Sequence, residues 1–455
     1  MTCQSADRRL QPTDHFQAVI QAAGPGATLC FKRGIYRLSD PLRPLAGQVL
    51  TFEHGAVLSG AKVLKRWTSE GSYWVVGGQT QDFSSSVTGL PDATMCGANP
   101  GACIYEDLYM DGRPLDHVTS LDALGPGKAY LDEAGDKMYI ATDPTGHTME
   151  ATVAGVAITS SASNVTIRGA AIEKFAYHGI LAVKVKHWTI KRSDIRYVHF
   201  EGIGIHGGSG DVIRNNHVHQ NGIIGMTAAG VGHFTIQGNE FDHNNYLNAG
   251  PTSGGYHEGS VKILNSHDVV FRDNWSHHND GDGLWFDWDN YDILIEKNVL
   301  EDNTRNGLQY EASFDATVRY NTIRNNGTDW DSQGAGILNS TSKNVEYYSN
   351  RIKNNVIRSF VILWADRGSS DKFGERQSAN VYFHDNVVVL DDNLQSWVGV
   401  YWDQDPRVFT SNNRFQGNTY YVHRDGDQWW RWDSDLTWPE WQSKGFDRTG
   451  RYRRG

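Results

Sequence analysis

Two acidic residues occupy the same slot of two neighbouring sequence units, Gly283-Leu284-Trp285-Phe286-Asp287 and Gly307-Leu308-Gln309-Tyr310-Glu311. If each unit is one turn of a solenoid, the two carboxylates stand side by side on adjacent strands, which lie about 4.8 Å apart. Two carboxyl groups about 5 to 5.5 Å apart are what retaining glycoside hydrolysis requires, one as nucleophile and one as acid/base. The alternation Leu-x-aromatic-acid turns Leu284, Phe286, Leu308 and Tyr310 inward and leaves Trp285, Asp287, Gln309 and Glu311 facing solvent. Repulsion between like charges in one outward ladder raises one pKa, so one group stays ionised and the other is protonated near neutral pH. Asp287 is assigned as nucleophile and Glu311 as acid/base, an order that electrostatics alone leaves reversible. Two solvated surface acids that happen to align are the plainer alternative.

Lys262, in Glu258-Gly259-Ser260-Val261-Lys262, falls one coil before Asp287. Abutting it, the ammonium would keep Asp287 ionised, although a plain surface salt bridge explains it equally well. Asp289, in Trp288-Asp289-Asn290, is suited to hydrogen-bond a substrate hydroxyl or to hold a loop. Trp285, Trp288 and Gln309 join these two as expected substrate-binding residues, with Glu258, His257 and Trp364 reaching in from loops or other coils. The histidines His217, His219, His243, His277 and His278 recur in the turn that follows an asparagine and read as stacked structural side chains. Asp280-Gly281-Asp282 could hold calcium, although three residues make a weak signal, and no metal and no cofactor is expected.

The elements that must carry this pair are set by a repeat. β-Branched or aromatic runs end in asparagine at Asn216, Asn239, Asn274, Asn298 and Asn321, at intervals of 23, 35, 24 and 23 residues. Weaker copies extend the series upstream to Val165-Thr166-Ile167 and downstream to Asn350 and Asn386, and a second asparagine follows five residues later at Asn221, Asn244, Asn279, Asn303 and Asn326. Asparagine and glycine tolerate the left-handed backbone of tight turns. Units of short strands joined by such turns cannot bury an apolar face alone and must stack. The reading is all-β, a right-handed parallel β-helix. Residues 160–420 carry no convincing amphipathic helical period.

The longer units hold insertions around Asn245 to Glu258, Thr328 to Gly334 and Asp366 to Ala379, which bracket the coils of Asp287 and Glu311. Loops rising beside a flat strand surface make a pocket suited to a chain end. Residues 1–64 read as an N-terminal cap and first coils with a helix over His15 to Ala23, and 65–152 as an inserted β-subdomain with a hairpin at Asp111-Gly112. Residues 153–420 form the β-helix core, and 421–455, rich in tryptophan, the C-terminal cap.

Four cysteines lie outside the repeat, and an even count suggests the disulfides Cys3–Cys30 and Cys96–Cys103. A formal charge of −11 argues against nucleic acid and against a uronate-rich polyanion, and favours a neutral sugar. Composition and the even cysteine count suit an extracellular domain, so a secreted, extracellular or periplasmic location is expected, and no apolar run approaches the length of a membrane span.

The stretch Asp282-Gly283-Leu284-Trp285-Phe286-Asp287-Trp288-Asp289-Asn290, followed by Gly307-Leu308-Gln309-Tyr310-Glu311-Ala312-Ser313, resembles the active-site coils of right-handed β-helix glycoside hydrolases, particularly the β-xylosidase family. That resemblance implies a retaining mechanism with an Asp nucleophile at Asp287 and a Glu acid/base at Glu311. The strands around Leu108–Leu115 and Lys137–Ile140 are similar to the subdomain inserted near the start of such enzymes. An exo-acting retaining glycosidase on a neutral oligosaccharide is the leading expectation. A polysaccharide lyase or epimerase acting on a uronate-containing glycan, and a non-catalytic carbohydrate-binding β-helix protein, stay open beside it.

Overall fold

The computed structural model describes residues 3, 5–83, 96–97, 99–250, 258–328, 334–390, 396–403, 405–422 and 428–454, in two compact units. Unit one comprises residues 1–204, 216–226 and 244–258, and unit two residues 205–215, 227–243 and 259–455. Both are built from coils of a parallel β-helix.

In unit one, Leu29, Leu50, Ile167 and Ile190 pair in register on successive parallel strands, and all four are fully buried. The strand Val49–Phe52 pairs directly with Thr166–Arg168 and Ala56–Ser59 with Ala171–Glu173, so the strands from Ala61–Val63 to Met149–Thr152 lie outside the coil stack. They form a four-stranded antiparallel sheet and a five-stranded sheet, antiparallel but for the parallel pair Asp116–Val118 with Lys128–Asp132, over a core of Leu108, Ala129, Met138, Ile140 and Ala151. Asp111 (φ 51) and Gly112 (φ 81) turn the hairpin between Leu108–Met110 and Arg113–Pro114. Two left-handed residues in succession match the right-handed twist of the strands they join. The helix runs from Phe16 to Ala23, and the expected cysteine pairs, Cys3–Cys30 and Cys96–Cys103, are disulfides.

In unit two each coil contributes a strand to each of three parallel ladders. Phe271, Ile295, Val318, Tyr347 and Phe383 stack in register inside the coil. The repeating asparagines do not take the turn role expected of them. The left-handed residue is the one before each: Asp273, Lys297, Tyr320, Ser349 and Asp385 have φ between 52 and 57. That geometry turns the asparagine inward, where Asn274, Asn298, Asn321, Asn350 and Asn386 are almost fully buried. Each side-chain amide donates to the oxygen of the next asparagine, Asn274 to Asn298 at 3.2 Å and Asn298 to Asn321 at 2.9 Å, and to a backbone carbonyl one coil back. Buried amides must be satisfied, and a ladder with one coil spacing satisfies all but its ends. Asp447 accepts from Asn418 at 2.9 Å to close the last rung, beside the buried Trp441 of the short helix Trp438–Ser443.

Candidate active site

Asp287 and Glu311 are direct partners on adjacent parallel strands, as Trp285 is to Gln309 and Phe286 to Tyr310. Leu284, Phe286, Leu308 and Tyr310 point into the coil and are completely buried, as the alternation required. The outward side chains depart from expectation. Trp285, Asp287, Gln309 and Glu311 are only 7, 6, 7 and 4 % exposed. They leave the core yet do not reach solvent, because neighbouring side chains close over them.

Lys262 covers Asp287. It lies in register with Trp285 on the preceding strand, its ammonium 3.0 Å from Asp287 Oδ2 and 3.5 Å from the centre of the Trp285 ring. A cation on an aromatic face beside a carboxylate is held from two sides. Both partners are nearly inaccessible, so this is not a surface salt bridge.

Glu311 is held by other groups. Gln309 Nε2 donates to its Oε2 at 2.5 Å, and Arg367 Nη2 donates to its Oε1. The Gln309 amide is itself oriented by Asn306, whose Nδ2 donates to Gln309 Oε1 at 2.9 Å and to Asp282 Oδ1 at 2.8 Å. Burial, the largest influence, pushes the Glu311 carboxyl above the usual glutamate range; Arg367 pulls it down and Asp287 pushes it further up. The two acids are equally buried but differently held, Asp287 by a buried ammonium and Glu311 by an amide and a half-exposed guanidinium.

Arg367 belongs to the insertion expected at 366–379, which folds over this sheet. The insertion contains the two-stranded hairpin Ser369–Ser370 with Gly374–Glu375, and Phe373 at its tip stacks on Phe314 at 4.4 Å. Arg376 donates to both carboxylate oxygens of Asp289, at 2.9 and 2.7 Å, while facing the Trp288 ring at 4.6 Å. Trp288 (φ 54) and Asp289 (φ 50) are consecutive left-handed residues, an arrangement that costs a bulky side chain about 1 kcal/mol or more. The loop contacts fall on this strained corner. Both oxygens of Asp289 are taken up by this loop arginine.

Trp364 sits two strands beyond Glu311, buried, with the Arg407 guanidinium over its ring at 5.0 Å. Glu258 belongs to unit one and is half-buried. His257 and the insertion residues 251–257 and 329–333 lie outside the described residues. Asp280 accepts from Thr304 at 2.8 Å and Asp282 from Asn306, so both serve coil-to-coil hydrogen bonds. Sequence reasoning missed Arg367, Arg376 and Asn306, and also Trp397 and Tyr401, which pack half-buried against Leu338 and Val361 just past the pair. The only signal for the two arginines was their position in an insertion expected to flank the acids.

The coils define a right-handed parallel β-helix, and residues 178–357 match the family described as right handed beta helix region. The structure of XylC with xylose is similar with a TM-score of 0.72 at 15% identity, covering 96% of this chain and 82% of XylC. The A-module of the mannuronan C-5 epimerase AlgE6 of Azotobacter vinelandii is similar with a TM-score of 0.55 at 15% identity, covering 97% of this chain and 93% of that one. Identity this low speaks for the fold alone. No curated protein sequence matches the chain. No helix among the described residues is long and apolar enough to cross a membrane.

Proposed function

We propose that the protein is a retaining glycoside hydrolase acting on a neutral oligosaccharide end, with Asp287 as nucleophile and Glu311 as acid/base. The observation that carries this reading is the in-register pair on adjacent strands, one acid ion-paired with Lys262 and the other raised by burial. Strand spacing of about 4.8 Å suits the short carboxyl separation of a retaining mechanism. Asp287, with its counter-charge supplied by Lys262, attacks the anomeric carbon. Glu311 donates its proton to the leaving oxygen and then takes one from the water that cleaves the glycosyl ester. Arg367 must first swing off Glu311 Oε1, and its half-exposed side chain has room to do so. Since the XylC structure of the same fold holds xylose, xylosides are the first substrates to test.

A uronate-directed lyase or epimerase draws on one observation, the half-exposed Arg367 guanidinium beside the pair. Against it, Lys262, Arg367 and Arg376 are each engaged by a carboxylate, those of Asp287, Glu311 and Asp289. Their positive charge is already balanced, which suits a neutral sugar better than a polyanion.

The test is hydrolysis of nitrophenyl xyloside, arabinofuranoside, galactoside, glucoside and fucoside by the wild type, Asp287→Ala and Glu311→Ala. Release on one sugar, lost in Asp287→Ala and rescued by azide, is the expected result. No release on any sugar, with ultraviolet-absorbing unsaturated products from uronate polymers, would overturn the hydrolase reading. Silence in both assays would move the assignment to a carbohydrate-binding protein.

A further inference from the structure

Outside the candidate active site, unit one brings together three side chains with a donor set of a different kind. The strand His217–His219 pairs in parallel with Asp194–Arg196, and Asp194 is the register partner of His217. Val218 points inward and is fully buried, so the alternation of the strand sets both imidazoles on its outer face. Asp194 Oδ2 lies 3.4 Å from His219 Nε2 and 3.8 Å from His217 Nδ1. One donor atom from each of the three residues lies within 4.8 Å of the others. A tetrahedral ion with bonds of about 2.1 Å needs donors about 3.4 Å apart, so the carboxylate and the His219 nitrogen already stand at ligand spacing.

We infer that Asp194, His217 and His219 form a binding site for a divalent transition cation of the zinc type. Two imidazoles and one carboxylate are the donors such ions select, where calcium and magnesium take oxygen alone. The carboxylate is oriented for the task. Arg196 Nη1 donates to Asp194 Oδ1 at 2.7 Å, which turns Oδ2 toward the rings, the outer hydrogen bond expected behind a ligating carboxylate. The charge of Arg196 is answered by Glu173, to which its Nη2 donates at 2.9 Å. The His217 and His219 rings lie face to face, 3.8 Å apart with 10° between their planes. Binding turns them about their Cβ–Cγ bonds until the two lone pairs converge on the ion. The side chains are partly open to solvent, so an ion has a way in. Since Asp194 and the histidines sit on successive coils, the ion clamps one coil to the next. This inference is independent of the glycosidase reading.

The experiment is calorimetric titration of zinc chloride into the full-length chain, freed of any histidine tag, with cobalt absorption as a second probe. Wild type is expected to take up one equivalent at micromolar affinity and to melt at a higher temperature with zinc present. His217→Asn and His219→Asn lose that equivalent and the rise in Tm. His278→Asn, which removes a surface histidine elsewhere, keeps both. Arg196→Gln keeps the ligands but weakens binding roughly tenfold, since it removes only the outer hydrogen bond. Absence of uptake by the wild type at millimolar zinc would overturn the inference, as would an equivalent that survives both His217→Asn and His219→Asn.

Discussion

Arg376 sets Nε against Oδ1 and Nη2 against Oδ2 of Asp289, at 2.9 and 2.7 Å, across 87 residues of chain. The same guanidinium donates through Nη1 to the carbonyls of Arg367 and Ser369, within its own loop. One side chain therefore ties the segment that delivers Arg367 to Glu311 onto the corner that follows Asp287.

Arg376→Lys replaces a two-pronged donor with a point charge and should loosen that tie. A loss of about 1–3 kcal/mol is expected in urea unfolding. Limited proteolysis should cut within 366–379 faster than in the wild type. On an active glycoside, KM should rise more than kcat falls, because the loop positions rather than reacts. Unchanged proteolysis would show that the Phe373 stack and the Arg367–Glu311 and Arg407–Glu375 pairs hold the loop without Arg376.

Lys262→Met leaves the Asp287 carboxylate buried without its counter-charge. Breaking a buried pair from one side costs about 3–5 kcal/mol. The double variant Lys262→Met/Asp287→Asn removes the stranded charge and should recover much of that loss, which a double-mutant cycle of thermal melts measures. A single-variant cost under about 1 kcal/mol would mean that the pair behaves as a solvated one.

Burial makes the folded chain hold the Glu311 proton at pH values where the unfolded chain has released it. By linkage, stability falls as pH rises from the ordinary glutamate range through the raised value, and the penalty persists above it. Glu311→Gln removes the penalty. Its Tm should exceed that of the wild type near neutral pH and converge with it below about pH 3, where the carboxyl is protonated in both states. Melting curves of the two proteins across this range decide it. Converging curves at high pH and diverging ones at low pH would mean that Arg367 outweighs burial.

Gln309→Met deletes the amide that donates to Glu311 Oε2, a bond that favours the ionised carboxylate. The pKa of the acid should rise further, and the basic limb of the pH profile of kcat/KM should move to higher pH. An unmoved limb would remove Glu311 from the acid role.

Asn298→Ala breaks the inner ladder at its middle. Its amide donates to Phe271 O and Asn321 Oδ1, and its oxygen accepts from the backbone and side chain of Asn274. Several buried groups lose partners at once, each worth about 1–3 kcal/mol. A loss of roughly 3 kcal/mol or more in denaturant unfolding is expected.

The repeat was legible because pairing in a coil is local. Units of 23 or 24 residues bring Asp287 and Glu311 into partnership, and the period of two along a strand decides that Phe286 and Tyr310 go inward. Asparagine at constant spacing marked the coils, yet spacing cannot say which residue of a corner takes the left-handed backbone. The residue before the asparagine does, and the asparagine goes inside. The sequence by itself thus determined the fold, the register of the two acids and the presence of a loop beside them. Only the tertiary structure decided that the acids are covered. Arg367 reaches Glu311 over 56 residues and Arg376 reaches Asp289 over 87, through a loop whose course depends on where Phe373 finds an aromatic face. Contacts of that kind come from packing, which no period in the chain encodes.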